Sequence, residues 1–156
     1  MKIYTSYFYQ IRFFNPTIVP LSTAVFDPKW FNQWCGQGFQ FKDKNGVWNG
    51  LRAEPFVPGA ACEGLCHGMQ FCNVKDSTKC DFMKTYAEQL NRLNFEETIE
   101  RFRTLGKKIQ EADGLSTIPD FALIVHEAPS NPCSERWVIQ NWFKQNGATI
   151  AEWQPK

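Results

Sequence analysis

Phe121-Ala122-Leu123-Ile124-Val125-His126-Glu127 is the stretch of sequence that decides the fold. Its first five residues form an unbroken apolar run with two β-branched members, and Pro119-Asp120 and Pro129 bound it. A short apolar run closed by turn residues is typical of a strand that is buried on both faces of a sheet. The sequence therefore predicts a central, buried strand over residues 121–125.

Helical and strand patterns alternate around this predicted strand. Apolar residues recur at helical spacing over 82–92, 95–109 and 134–145. Runs rich in β-branched and aromatic residues predict further strands over 3–8, 17–25 and 148–153. A strand, a helix and a second strand in succession form a parallel, right-handed crossover. We therefore predict an α/β fold, with a Rossmann-like and mostly parallel sheet flanked by helices.

Length and charge limit the possible functions. The 156 residues are 43% hydrophobic and 15% aromatic, which fits one α/β domain over 1–156 with its own core. Seventeen Lys and Arg balance sixteen Asp and Glu, so no charge excess favours duplex nucleic acid. The apolar runs are shorter than the roughly 18 residues of a membrane-spanning helix, and the first residues lack an export signal. We expect a cytoplasmic protein without membrane association. The sequence is also compatible with a protein partner.

Residues 36–80 form a predicted insertion that is irregular and rich in cysteine. Loops longer than about 12–15 residues are uncommon unless they are functional or braced. Cys62, Cys66, Cys72 and Cys80 lie within nineteen residues, and the Cys62-x3-Cys66 spacing is within the zinc-ligand range. Four thiolates form a closed zinc site whose binding energy stabilises the segment, so we predict structural zinc. The alternatives are that His67 replaces one of the cysteine ligands, that the cysteines hold an iron–sulfur cluster, or that they bind no metal and remain thiols or form a disulfide.

Polar residues are densest directly after the predicted central strand, where open α/β sheets bind their ligands. With Asn131 as N-cap and Pro132 as first helical residue, Cys133 would lie in the first turn of a helix, which stabilises thiolates and anions. We predict Cys133 as nucleophile or anion contact, Glu127 as acid or base, and Arg136 as charge clamp. A buried thiol beside a structural ion pair is the competing interpretation. The other candidate ligand contacts here are His126, Asn131 and Ser134.

Two further groups of residues are candidate ligand contacts. Tyr4, Ser6 and Tyr7 lie at the end of the first predicted strand. Arg52 and Glu54 place two opposite charges beside apolar neighbours, and they could reach toward the strand ends. Ordinary packing and a surface ion pair are the competing interpretations of these two groups.

A set of short motifs runs through nearly the whole chain. They are Ile3-Tyr4-Thr5-Ser6-Tyr7-Phe8, Val19-Pro20-Leu21-Ser22, Leu123-Ile124-Val125-His126-Glu127, Cys133-Ser134-Glu135-Arg136 and Trp142-Phe143. Together they resemble the family called domain of unknown function 488, and residues 49–55 resemble its larger members. The resemblance implies a Rossmann-like fold and carries a Glu, a Cys and an Arg of the family onto Glu127, Cys133 and Arg136. Ser134-Glu135 stands where that family has a single His, and the resemblance implies no reaction.

Two classes of function fit these patterns. In the first, the protein binds a nucleotide-like or other anionic small ligand at the strand ends near Cys133, with or without catalysis. In the second, it is a non-catalytic, metal-stabilised protein-interaction module that contacts its partner through Trp30, Trp34 and Trp48.

Overall fold

The computed structural model describes residues 1–31, 50–65 and 79–156. The strands in chain order are β1 (Ile3–Tyr7), β2 (Ile18–Ser22), β3 (Leu51–Arg52), β4 (Asp120–Val125) and β5 (Ala151–Glu152). The helices are α1 (Asp81–Asn91), α2 (Phe95–Asp113) and α3 (Glu135–Gln145). Short 3₁₀ helices cover Phe8–Phe13, Glu54–Phe56 and Ala60–Cys62.

All five strands are parallel and lie in the order β3-β2-β4-β1-β5. Strand β4 is the middle strand, and Leu123 lies beside Thr5 of β1 and Leu21 of β2. Residues 121–125 are at most 1% exposed, because both edges and both faces of β4 are covered. The predicted α/β fold with a parallel sheet and a central strand over 121–125 is confirmed.

The two faces of the sheet carry different layers. Phe121 and Leu123 belong to the main hydrophobic cluster, which contains the buried hydrophobic residues of α1, α2 and α3. Ala122 and Ile124 point to the opposite face and pack with residues of the first 3₁₀ helix and the segment after β2. Within the described ranges, none of the helices has the length and apolar character needed to cross a membrane.

Helix α2 extends four residues beyond its predicted end at Ile109. It begins with Asn94, whose Oδ1 accepts a 2.9 Å hydrogen bond from the backbone N–H of Glu97. Gly106 lies inside the helix, and a Cβ there would be 2.5 Å from Cγ2 of Ile118. Glycine at this position therefore allows close packing and does not end the helix.

The described part of the predicted insertion, residues 50–65, belongs to the core. Strand β3 extends the sheet, and Phe56 is 1% exposed and packs against the rings of Trp142 and Phe143. The Tyr86 hydroxyl donates to the carbonyl of Phe56, and the Gln89 side chain bonds backbone groups of the same segment. Residues 50–65 thus contribute to the core without a periodic sequence pattern, because one buried aromatic ring leaves none.

Candidate functional site

Arg136 is at the centre of the polar residues at the carboxyl edge of the sheet. It is the second residue of α3 and is 0% exposed. Its Nε donates to Glu152 Oε2 at 3.0 Å, and its Nη1 donates to the carbonyl oxygen of Glu127 at 2.6 Å. Its Cζ lies 5.4 Å from the centre of the Tyr7 ring. Its Nη2 is buried and has no hydrogen-bond partner among the described residues.

Unmet hydrogen-bonding capacity is concentrated around this guanidinium. Within the described ranges, four further buried side-chain atoms have no hydrogen-bond partner: Ser6 Oγ, Gln10 Oε1, Glu135 Oε2 and Glu152 Oε1. Gln10 reaches the same region because its Nε2 donates to the Tyr7 hydroxyl at 3.1 Å. Buried polar groups in native proteins are normally hydrogen-bonded, so Arg136 Nη2, Glu135 Oε2, Glu152 Oε1 and Gln10 Oε1 are candidate contacts for a polar ligand. Ser6 pairs with Ile124, so its Oγ points to the opposite face of the sheet.

Glu127 and Glu135 form a hydrogen-bonded carboxyl pair beside Arg136. Burial raises the pKa of Glu135 well above its usual range, and the charge and hydrogen bond of Glu127 raise it further, whereas Arg136 lowers it. These influences favour the protonated form of the Glu135 carboxyl group. Ser134 Oγ also donates to Glu127 Oε2, at 3.2 Å.

A chain of hydrogen bonds holds Glu152 in place on β5. Thr5 Oγ1 on β1 donates to Glu152 Oε2 at 2.7 Å, and Gln140 Nε2 on α3 donates to Thr5 Oγ1 at 2.7 Å. Glu152 Oε2 thus accepts from both Thr5 and Arg136, so one carboxylate joins β1, β5 and α3.

Cys133 lies outside α3 and not in its first turn. The helix begins at Glu135, and Ser134 is the N-cap, with its Oγ accepting from the backbone N–H of Arg136 at 3.3 Å. Asn131 was predicted to be the N-cap, but its Oδ1 accepts from the backbone N–H of Cys133 at 2.9 Å. The predicted helix start is wrong because two side chains compete to cap and the later one does so. The Cys133 side chain is 1% exposed in the main hydrophobic cluster, which fits the competing interpretation of a buried thiol.

Arg52 forms a separate polar cluster at the ends of β2 and β3. Its Nε donates to Glu54 Oε1 at 2.8 Å, its Nη1 to Asp27 Oδ2 at 2.9 Å, and its Nη2 to the carbonyl of Ala24 at 2.9 Å. Burial lowers the pKa of Arg52, but the hydrogen bonds and charges of Glu54 and Asp27 outweigh it and the net pKa is raised. Each nitrogen of this guanidinium has an acceptor, so the cluster fits a structural ion pair.

The predicted ligand contacts therefore divide into two groups. His126 is exposed, its Nε2 lies 2.7 Å from the carbonyl of Phe26, and its ring packs 4.8 Å from Phe8. Tyr4 packs against the hydrophobic cluster that contains Phe8, on the face of the sheet opposite to α3. The residues that meet at the carboxyl edge around Arg136 are Tyr7, Glu127, Ser134 and Arg136, and Asn131 adjoins them through its hydrogen bond from Trp137. The predicted contacts that lie apart are Tyr4, Ser6, Arg52, Glu54 and His126.

Sequence reasoning missed three residues of this site: Thr5, Glu135 and Glu152. In the sequence, Glu135 was noted only because Ser134-Glu135 replaces the single His of the domain of unknown function 488 family. Glu152 follows Ala151 in a two-residue strand, which is too short for a periodic signal. Thr5 and Glu152 meet because strand β5 pairs with β1, although the two residues are far apart in the sequence.

Two of the four predicted zinc ligands, Cys62 and Cys80, are buried in the main hydrophobic cluster. Burial raises the pKa of the Cys62 thiol, a backbone hydrogen bond lowers it, and the charge of Glu135 raises it again. Cys66, Cys72 and His67 lie outside the described residues, as do Trp34 and Trp48. Over 1–31, 50–65 and 79–156, no three His, Cys, Asp or Glu side chains are grouped to hold a metal ion.

A groove lies between α1 and α3, and the ring of Trp137, which lines it, has its centre 5.9 Å from Arg136 Cζ. The volume of the groove is about 230 Å³, which is below the roughly 300 Å³ at which small-molecule pockets begin. It is lined by Met83, Ala87, Asn91, Trp137, Val138, Asn141, Trp142 and Gln145.

Comparison of the chain with protein-family models, curated protein sequences and solved structures finds no match. The resemblance to the domain of unknown function 488 family therefore stays a prediction. Function has to be inferred from the residues at the carboxyl edge of the sheet.

Proposed function

We propose that the protein binds a small, neutral, polar ligand at the carboxyl edge of β1 and β4, with the size and hydroxyl groups of a nucleoside or a sugar. The observation that carries this proposal is the guanidinium of Arg136, which is fully buried and keeps Nη2 without a partner among the described residues. A buried donor of this kind is costly unless a partner satisfies it. A ligand oxygen is such a partner.

The charge balance of the site favours a neutral ligand over the anionic ligand expected from sequence. Arg136 supplies one positive charge, and Glu152 supplies one negative charge at 3.0 Å. The neighbouring carboxyl groups of Glu127 and Glu135 add acceptor oxygens and negative potential to the same site. An anion would therefore meet net repulsion, whereas hydroxyl groups can donate to carboxylate oxygens and accept from Nη2.

The carboxyl pair also suits acid–base chemistry on a bound hydroxyl. A protonated and an ionised carboxyl side by side can donate and accept a proton in one site. Glu127 is half-buried and Glu135 is buried, so Glu127 is the member that would touch the ligand. An enzymatic step of this kind extends the binding proposal and depends on it.

Saturation-transfer NMR with adenosine, ribose and adenosine monophosphate tests the proposal at neutral pH. We expect adenosine or ribose to bind, the monophosphate to bind more weakly than adenosine, and Glu127→Gln to weaken binding about tenfold, since a charge-assisted hydrogen bond is lost. Glu54→Gln is the matched control, because Glu54 is an exposed carboxylate of the separate Arg52 cluster. If the monophosphate bound more tightly than adenosine, the ligand would be anionic, as the sequence predicts. If Glu127→Gln bound adenosine as tightly as wild type, the proposed site would be wrong.

The alternative function is the non-catalytic interaction module, and the groove between α1 and α3 is the observation that favours it. Asn141 is exposed and lines this groove, so Asn141→Arg would block a partner there without touching Arg136. Unchanged adenosine binding by Asn141→Arg, together with loss of a defined protein partner, would separate the two functions.

We also propose structural zinc held by Cys62, Cys66, Cys72 and Cys80, in a reducing compartment such as the cytoplasm. The cysteine spacing motivates the proposal. The burial of Cys62 and Cys80 in one cluster supports it, because it brings two of the four thiols into the same layer.

A further inference from the structure

Three aromatic side chains, Tyr7, Tyr9 and Phe13, form a row that starts at the proposed site. Tyr7 lies against Arg136, and the Tyr9 ring is 6.5 Å from the Tyr7 ring with only 19° between their planes. The Phe13 ring is 5.9 Å from that of Tyr9. Tyr9 is 54% exposed and Phe13 is 52% exposed, so this aromatic row leads from the buried guanidinium to the surface.

The 3₁₀ helix Phe8–Phe13 fixes the orientation of the row. With three residues per turn, Phe8 and Ile11 share the buried face, and Tyr9 and Arg12 share the outer face. Arg12 Cζ lies 4.1 Å from the centre of the Tyr9 ring, and Arg12 Nε donates to the carbonyl of Tyr9 at 2.9 Å. Tyr9 is thus held in place at the surface by a cation–π contact.

Single exposed aromatic residues are normal on protein surfaces, but here three aromatic rings lie in one continuous row. Near-parallel rings next to a guanidinium plane are the groups on which proteins stack flat aromatic ligands, nucleobases above all. The row is also continuous with the polar site, because Tyr7 contacts Arg136 on one side and Tyr9 on the other.

We infer that the ligand of the carboxyl edge carries a flat aromatic ring, which stacks on Tyr9 while the polar part of the ligand reaches Arg136 and Glu127. The inference rests on the proposed function and narrows it, because it selects a nucleoside over a simple sugar. Arg136 lies 5.4 Å from the Tyr7 ring and the Tyr7 ring lies 6.5 Å from the Tyr9 ring, so the polar site and the exposed aromatic surface are neighbours.

The test compares adenosine with ribose on wild type, Tyr9→Ala, Tyr9→Phe and Phe26→Ala, by saturation-transfer NMR titration. We expect wild type to bind adenosine at least tenfold more tightly than ribose, because stacking on an aromatic side chain adds affinity. Tyr9→Ala should remove about this factor for adenosine and leave ribose unchanged. Tyr9→Phe should stay within about twofold of wild type, since it keeps the ring. Phe26→Ala is the matched control, because Phe26 is an 81% exposed aromatic side chain outside the aromatic row.

The outcomes separate the inference from the proposed function on which it rests. Ribose binding that needs Glu127, with no gain for adenosine, would overturn the stacking inference and keep the polar site. Adenosine binding that needs Tyr9 but is unchanged in Glu127→Gln would overturn the polar site and keep the stacking surface. Failure of both probes to bind would overturn both. Thermal unfolding of Tyr9→Ala checks that the variant is folded, which its exposure favours.

Discussion

Arg136 Nη1 donates a 2.6 Å hydrogen bond to the carbonyl oxygen of Glu127, nine residues earlier in the chain. The same guanidinium bonds Glu152 on β5 through Nε. One side chain therefore holds the exit of β4, the start of α3 and the edge strand together. Because Arg136 is fully buried, this role in the fold is inseparable from any role in ligand binding.

Arg136→Lys should destabilise the protein by about 3 kcal/mol or more. Lysine lacks the planar fork that serves two acceptors in different directions, and a buried charge pair with a broken partner costs roughly 3–5 kcal/mol. Urea unfolding followed by circular dichroism measures the difference. Arg101→Lys is the control, because Arg101 forms an exposed pair with Glu97 and should change stability by less than about 0.5 kcal/mol. Equal stability of the two variants would contradict this role.

The central strand could be predicted because it is a local signal. Residues 121–125 are all apolar and bounded by turn residues, so the strand can be recognised from this segment alone, without knowledge of its tertiary contacts. The start of α3 could not be predicted in the same way. Asn131 and Ser134 are both good N-caps, and the backbone of this region uses Asn131 for a turn and Ser134 for the cap.

Only part of the candidate site could be predicted from the sequence, for a similar physical reason. Glu127 and Arg136 follow the central strand directly, so they could be predicted from position alone. Thr5 and Glu152 are 147 residues apart in the chain and meet only because β5 pairs with β1. A pairing of that kind depends on the register of the folded sheet, which a two-residue strand does not reveal in sequence.

Glu135→Gln should stabilise the protein increasingly as pH rises. The folded pKa of Glu135 is raised, so the folded state keeps a proton that the unfolded chain releases above about pH 4.3. Wild-type stability is therefore greatest below the unfolded pKa and falls as pH rises through the folded pKa. Glutamine does not titrate, so the stability of Glu135→Gln relative to wild type should rise with pH across this range.

Thermal unfolding of wild type and Glu135→Gln from pH 4 to pH 8 measures this effect. Glu88→Gln is the control, because Glu88 is an exposed carboxylate on α1. Curves for Glu135→Gln that stay parallel to wild type across this range would show that Glu135 ionises like an exposed glutamate.

Gly106→Ala should destabilise the protein by about 1–3 kcal/mol, although alanine favours helices over glycine by roughly 1 kcal/mol. The added Cβ would lie 2.5 Å from Cγ2 of Ile118 and 3.5 Å from the Phe121 ring. A double-mutant cycle with Ile118→Ala isolates the clash. In the Ile118→Ala background, Gly106→Ala should become neutral or stabilising. A cost that is the same in both backgrounds would place the strain elsewhere.

Zinc should be present at about one equivalent per chain in protein purified without a metal-binding tag. Cys62→Ser and Cys80→Ser should each lower the zinc content and the melting temperature, because a structural site supplies folding energy. Cys133→Ser is the control for zinc content, since Cys133 is buried in the same cluster but is outside the predicted ligand set. Elemental analysis showing well under half an equivalent in wild type, or a chelator without effect on melting, would contradict the zinc proposal.

Cys133 should react slowly with iodoacetamide in the native protein, against the expectation from sequence that it is an activated thiol. Two properties of the structure lead to this result. Its side chain is 1% exposed, and it precedes the N-cap Ser134, so it does not lie in the first turn where the helix dipole favours a thiolate. Peptide mapping by mass spectrometry should show modification that accelerates sharply in urea, when the hydrophobic cluster opens. Cys133→Ala should bind adenosine within about twofold of wild type, because the site around Arg136 does not use the thiol. Rapid native alkylation that adenosine suppresses would contradict both statements and return Cys133 to the role of nucleophile.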